Sequence, residues 1–220
     1  MSVAPASSLL RNWPFPGIIP GTASVIYADP AWPFENYSRL GEGRGATRHY
    51  PTMSMDELRK LPVGEIAAPD CALFLWVVKS LLPEALGLID AWGFRYKTVA
   101  FTWIKTRPSG KEFINNGFWV RGNPEMVFLA TRGRPRRQSR AVRELVEDPC
   151  DWFADGPDAI YAHAREHSRK PDEVRTRIEQ LMQPGAPGRD AKVELFARQV
   201  APGWLAWGNQ TNKFTPHGGV

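Results

Sequence analysis

The sequence predicts an α/β fold, a single domain built on a doubly wound sheet. Three observations carry this. Apolar, strand-like runs alternate with segments of helical periodicity from residue 25 onward. The first run, Val25-Ile26-Tyr27-Ala28, has no polar interruption, as suits a strand buried on both faces, and it stops at Asp29-Pro30-Ala31-Trp32-Pro33-Phe34. At 220 residues and 43% apolar content the chain can fill one good core and is short for two.

The first strand ends at Ala28 because Pro30 and Pro33 lack backbone N–H groups and fix φ, which bars a continuing ladder. Ser54, with Glu57 three residues later, forms a capping box and predicts a short helix over residues 54–60. Ala72-Leu73-Phe74-Leu75-Trp76-Val77-Val78 reads as a second buried strand. Leu82, Ala85, Leu86 and Ile89 recur at helical spacing after Ser80, with Gly93 as the stop. Residues 95–106 alternate like a strand, residues 108–117 are polar and predict a mobile loop, and residues 125–131 return as a strand. Asn123-Pro124-Glu125 reads as the entry to that strand rather than as a second catalytic motif. Val174, Ile178, Leu181 and Met182 define the apolar face of a helix that opens at Pro171. Residues 192–197 form a last strand, followed by a short Trp-rich segment and a polar tail. Trp13, Trp76, Trp92, Trp103 and Trp204 are expected in the core.

Composition narrows the function classes. Two cysteines, Cys71 and Cys150, are too few for a disulfide framework and fit a reducing compartment. No apolar run approaches the ~20 residues of a membrane helix, and residues 1–20 lack the basic start and apolar stretch of a signal peptide, so a cytoplasmic protein without membrane contact is expected. The net charge of +5 favours a polyanionic partner such as nucleic acid. Cys150, His163 and His167 have the spacing of the latter part of a zinc finger but lack a paired cysteine, so no metal site is expected.

Asp29 is the first candidate for chemistry. In open α/β sheets ligands sit just beyond the carboxyl ends of parallel strands, and Asp29 falls at such an end. A carboxylate beside the carbonyl of Pro30 makes an acceptor-only pocket, suited to an exocyclic NH₂ group, while Trp32 and Phe34 offer flat faces to a planar ring. Such a pocket describes the amine of an adenine.

Asp29-Pro30-Ala31-Trp32 is similar to the Asp-Pro-Pro-Trp signature of the MT-A70 family of N6-adenine methyltransferases. It is accompanied, in the family's order, by His49-Tyr50-Pro51-Thr52-Met53-Ser54, Arg169-Lys170-Pro171-Asp172-Glu173, Glu194-Leu195-Phe196-Ala197-Arg198 and Trp207-Gly208-Asn209-Gln210. The resemblance covers residues 9–210, is closest to short bacterial and phage members, and implies a circularly permuted, Rossmann-like methyltransferase fold in which the catalytic strand precedes the cofactor strand. Residues 1–20 would be an extension, 21–210 the methyltransferase domain with an insertion at 148–164, and 211–220 a tail.

The resemblance also implies the activity: transfer of a methyl group from S-adenosylmethionine to N6 of adenine in nucleic acid. DNA is the favoured polymer and RNA the alternative; a non-catalytic nucleic-acid-binding scaffold is the reading from another class. Asp29 and the Pro30 carbonyl would accept the amine's N–H bonds and aim its lone pair, with Trp32 stacking the base. Tyr50 would close another side, with Tyr37 a lesser candidate and Glu125 a further substrate contact. For the cofactor, Lys170 matches a position at the methionine end, Glu194 an acid that accepts hydrogen bonds from a ribose or an ammonium group, and Phe196, Arg198, Asn209 and Gln210 the nucleoside part. Residues 194–198 contain no glycine, which argues against the phosphate loop of NAD or ATP. Ala31 departs from the signature: the second proline is missing, which loosens the turn without removing an acceptor.

Arg134, Arg136 and Arg137, with Arg132, Arg140 and Arg143, form a basic stretch expected to track a phosphate backbone near the catalytic loop, with Lys105, Arg107 and Lys111 extending the surface. No separate recognition domain is expected in a chain of this length, so strong sequence specificity would need a homodimer or a protein partner.

Overall fold

The structure, a computed structural model, describes residues 13–33, 52–106, 119–149 and 169–214. Its centre is a seven-stranded sheet in the order β5-β3-β4-β2-β1-β6-β7. The strands are β1 (Ala23–Ala28), β2 (Ala67–Val77), β3 (Arg95–Thr106), β4 (Glu125–Arg132), β5 (Leu145–Pro149), β6 (Ala191–Leu195) and β7 (Leu205–Trp207). β4 alone runs against the others, antiparallel to both β2 and β3. β1 is paired in parallel with β2 on one side and β6 on the other, and all six of its residues are buried. That double cover is why its sequence reads as an uninterrupted apolar run.

Among the described residues four α-helices cover the sheet, α1 (Met55–Lys60), α2 (Val63–Ile66), α3 (Leu82–Ala91) and α4 (Asp172–Leu181), with a 3-10 turn at Lys79–Leu81 leading into α3. On one face, Ile26, Leu73, Leu75, Val193 and Leu195 pack against Leu58, Val63, Ile66, Leu88 and Ile89 of the first three helices. On the other, Val25, Tyr27, Phe74, Trp76 and Phe101 pack against Val174 and Ile178 of α4 and against Trp204. The alternation along β1 and β2 thus divides two cores between two faces.

The sequence-predicted strands and helices are present with shifts of a residue or two at their ends, except that β2 begins at Ala67, five residues before the expected Ala72, and the loop expected at residues 108–117 lies outside the described residues. The capping box at Ser54 forms, its hydroxyl accepting from the Glu57 N–H and the Glu57 carboxylate accepting from the Ser54 N–H, an arrangement worth about 1 kcal/mol. Trp92, after α3, donates its indole N–H to the Leu58 carbonyl at 2.9 Å and so ties α3 to α1. Trp76, Trp92, Trp103 and Trp204 are buried, and Trp13 packs against the core. Phe15 and Ile18, within the segment assigned to an N-terminal extension, are buried members of the core. Helix α2 and strands β5 and β7 were not foreseen; each is five residues or fewer, too short to show a period.

Among the described residues no helix is long and apolar enough to cross a membrane. Phe34, Tyr37, Tyr50, Arg107, Lys111, Cys150, His163, His167 and most of the 148–164 segment lie outside the described residues.

Candidate active site

The order of the sheet decides where chemistry can occur. β1 lies where the strand order turns back, with β2 to one side and β6 to the other, and the crevice beyond the carboxyl ends of two such strands is the usual ligand site of an open α/β sheet. Asp29 stands at the β1 end of this crevice, its N–H directed to the Leu195 carbonyl at 3.5 Å. Because β4 is antiparallel, its first residue, Glu125, emerges at the same edge.

The turn after Asp29 is held in three places. The Pro30 carbonyl accepts from the Trp32 N–H at 2.8 Å, the Ala31 carbonyl accepts from the Met53 N–H at 2.9 Å, and the Trp32 indole N–H donates to the Trp76 carbonyl at 3.1 Å. One expectation changes here. Trp32 is 5% exposed and belongs to the core, so its ring is a pin for the turn and offers no open face to a base. The Pro30 carbonyl spends one lone pair on Trp32 and has a second.

Lys170, just before α4, reaches into the crevice. Its Nζ lies 2.9 Å from Glu125 Oε2, 3.5 Å from Asp29 Oδ2 and 5.0 Å from the centre of the Trp76 ring. Glu125 is held on its other oxygen by Lys105 at 2.5 Å. The four groups form an alternating chain of charge, Lys105, Glu125, Lys170, Asp29. Lys105 was expected on a phosphate-binding surface; instead it is 9% exposed, tucked beside Trp103 and committed to Glu125. Asn123 fixes the backbone there, its side-chain amide pairing with both the N–H and the carbonyl of Lys105 at 2.7 and 2.9 Å. The expected strand entry at residues 123–125 is thus built, with an asparagine side chain standing in for a ladder pair.

These contacts set the carboxyl groups apart. Burial raises the Asp29 carboxyl above its ordinary value, with Lys170 and Arg198 opposing it and Glu125 adding to it. Burial pushes Glu125 up as well, but Lys170 and Lys105 outweigh it and bring it down to about 2. Asp29 is therefore the carboxylate whose ionisation depends on its neighbours, and Glu125 the fixed negative charge that holds them.

The far lip of the crevice is made after β6 and β7. Phe196 has φ 60, the one positive φ outside glycine among the described residues, and turns the chain out of the sheet. Gly208 lies so close that a Cβ there would stand 2.5 Å from the Ala197 carbonyl oxygen and 2.8 Å from the Ala197 nitrogen. Ala197 N–H donates to the Trp207 carbonyl at 2.8 Å, so residues 196–198 and 207–210 run side by side. Arg198 lies over the Phe214 ring at 4.9 Å, and its carbonyl accepts from the Phe214 N–H. Phe196, Arg198, Asn209 and Gln210 are thus gathered on one lip.

Glu194 is turned toward α4 instead, 2.9 Å from Arg175, with its side chain 12% exposed. Burial raises its pKa and Arg175 lowers it. Arg175 and Arg169 both reach Asp172, and Gln199 joins them with its amide N–H 2.7 Å from Asp172 Oδ1. The sequence reading missed this network, which joins Arg169, Asp172 and Arg175 around the start of α4 to Glu194 and Gln199 about 20 to 30 residues later.

Arg134, Arg136 and Arg137 are at the wrong end of the sheet for the role expected of them. Arg132 pairs with Cys71 near the start of β2, seven residues along β4 from Glu125 and so about 23 Å from the crevice. The physical reason is the direction of β4, which periodicity does not reveal.

The assembled lips offer a carboxylate and carbonyl acceptor pair, amides suited to hydroxyls and ring nitrogens, cations suited to a carboxylate, and no phosphate loop. This donor set fits a nucleoside carrying an amino-acid tail. Among known families, the MT-A70 family model matches residues 23–210. The chain is similar to the Type II methyltransferase M.MunI of Mycoplasma sp, with 32% identity over 211 residues, covering 88% of this chain and 80% of that protein. It is also similar to the N(6)-adenosine-methyltransferase MT-A70-like protein of Arabidopsis thaliana, 30% identical over 87% of this chain and 24% of that one. The human N(6)-adenosine-methyltransferase catalytic subunit METTL3 is 28% identical over 86% of this chain and 28% of its own length.

Proposed function

The chain belongs to the MT-A70 family, and from that premise we propose that it is an S-adenosylmethionine-dependent N6-adenine methyltransferase acting on nucleic acid, with DNA the favoured polymer. DNA is preferred because the type II methyltransferase is matched along most of its length, whereas the adenosine methyltransferases of Arabidopsis and human are matched along about a quarter. The observation that carries the reading is the acceptor pair of Asp29 and the Pro30 carbonyl at the β1–β6 crevice, facing the lip of residues 196–198 and 208–210.

S-adenosylmethionine, when bound, supplies an activated methyl group, so the chain's own task is to position a weak nucleophile. The adenine amine is poorly basic because its lone pair is delocalised into the ring. Asp29 and Pro30 accept its two N–H bonds, which favours a pyramidal nitrogen and aims the lone pair. Lys170, held by Glu125, favours the ionised form of Asp29 that this task needs. Phe196, Arg198, Asn209 and Gln210 would hold the nucleoside part of the cofactor, and Lys170 its carboxylate. Glu194, the acid expected to accept hydrogen bonds from a ribose or an ammonium group, is paired with Arg175. With Trp32 buried, stacking of the extruded base falls to Tyr50, with Tyr37 secondary. The order of parts, with the Asp29 strand first and its neighbour β6 late in the chain, supports a circularly permuted Rossmann-like methyltransferase sheet.

The test incubates the protein and its Asp29→Ala variant with methyl-labelled S-adenosylmethionine and separate pools of duplex DNA, single-stranded DNA and RNA, followed by nucleoside mass spectrometry. N6-methyladenine from the wild type alone is the expected result, and the productive pool identifies the polymer. Nucleic-acid binding with no product from any pool would refute the proposal in favour of a non-catalytic scaffold.

A further inference from the structure

The basic segment displaced from the crevice is ordered, and its order has a direction. Gly133, at φ 62, turns the chain so tightly that a Cβ there would lie 2.2 Å from the Pro69 carbonyl oxygen. Beyond it the Arg134 N–H donates to Asp70 at 2.7 Å, the Arg136 carbonyl accepts from Gln183 at 3.0 Å, and the Gln138 N–H donates to Leu181 at 2.8 Å. The Arg143 carbonyl then accepts from Arg177 at 2.9 Å, a full turn earlier in α4. Leu145 finally pairs with Thr102, level with Val77 at the catalytic edge of β2. The ribbon therefore starts at the far edge of the sheet and climbs along α4 toward the crevice.

Its backbone is tied down while its guanidinium groups point outward. Arg134, Arg136, Arg137, Arg140 and Arg143 are all exposed, and none makes an ion pair among the described residues. Five like charges within ten residues, none of them ion-paired among the described residues, repel one another, a cost that a bound polyanion relieves. Beside them is an open groove of about 460 Å³ lined by Gln138, Ser139, Ala141, Val142 and Gln180, whose amides and hydroxyl can bond to phosphate and sugar oxygens. An extended segment advances ~3.3 Å per residue, so Arg134 and Arg136 are about 7 Å apart, close to two nucleotide steps of one strand.

We propose that residues 134–143 form a distal phosphate track that grips the backbone of a nucleic-acid duplex away from the target base. The inference rests on the proposed function for the identity of the substrate, and it adds a length requirement. The start of the track lies about 23 Å from Glu125, equal to some seven base-pair steps at ~3.4 Å each, so only a duplex longer than that engages both sites.

Fluorescence anisotropy with labelled duplexes of about 6 and about 30 base pairs, read across a salt series, tests it in the wild type and in the combined Arg136→Ala, Arg137→Ala, Arg140→Ala variant. Loss of three phosphate contacts makes the slope of log K against log[salt] shallower by about 2.7 on the long duplex, since each contact contributes ~0.9. The expected result is that shallower slope, with the variant distinguishing long from short probes less than the wild type does, and with Arg59→Ala on the opposite face retaining the wild-type slope. An unchanged slope in the triple variant, with an unchanged melting curve, overturns the track. Methyl transfer by the wild type to the long duplex is measured separately: absence of product together with a lost slope would refute the enzymatic reading and leave the track standing.

Discussion

Replacing Lys170 by methionine perturbs the site at its most informative point. The ammonium lies 3.5 Å from Asp29 Oδ2, and at an effective dielectric constant of ~20 a pair of unit charges at that distance interacts by about 5 kcal/mol, an upper bound because water enters when the cation leaves. Carboxylates beside a cation are typically lowered by about 1–3 pKa units, so loss of Lys170 should raise the Asp29 carboxyl by that much. Burial has already raised it above its ordinary value, and Arg198 remains to oppose a further rise. The acceptor role needs the ionised form, so methyl transfer falls as pH drops through this pKa. In Lys170→Met the acid limb should therefore move to higher pH by about 1–3 units, the shift belonging to the coupled Asp29–Glu125 pair. The assay is labelled methyl transfer across pH at saturating S-adenosylmethionine, which separates this effect from weaker cofactor binding. Lys170→Arg should restore the limb. A variant with reduced turnover but an unmoved limb would refute the assignment of Lys170 to Asp29 ionisation.

Glu125, lowered from 4.5 to about 2, contributes about 3 kcal/mol that is present above pH 4.5 and is lost as pH falls toward 2; acid denaturation of Glu125→Gln should lack that dependence. Asp29→Asn should abolish transfer yet raise the melting temperature, because a carboxyl with raised pKa costs stability when ionised and an amide does not. Gly208→Ala forces a Cβ against the Ala197 backbone and should cost about 1–3 kcal/mol, measured by thermal melting, with cofactor affinity by calorimetry falling in parallel. Trp32→Phe keeps the ring but leaves the buried Trp76 carbonyl without its donor, for about 1–3 kcal/mol by denaturant unfolding; a stability unchanged from wild type would show that the indole N–H does not pin the turn.

Local patterns made much of this protein legible from its sequence. The β1 run ending at Asp29, the capping box at Ser54 and the apolar face of α4 depend on residues a few positions apart, where periodicity and steric rules act directly. The ordered set of motifs, from Asp29-Pro30-Ala31-Trp32 to Gly208-Asn209-Gln210, likewise identified the family. Tertiary structure decided what those residues touch. Trp32 reads as a stacking ring until β2 is beside it, and Lys105 reads as a surface charge until Glu125 and Trp103 are placed. The direction of β4 carried Glu125 to the crevice and Arg134 away from it, although side-chain alternation is the same for either direction. Charge pairing, burial and strand direction depend on which distant segments meet, and a one-dimensional pattern holds no record of that meeting.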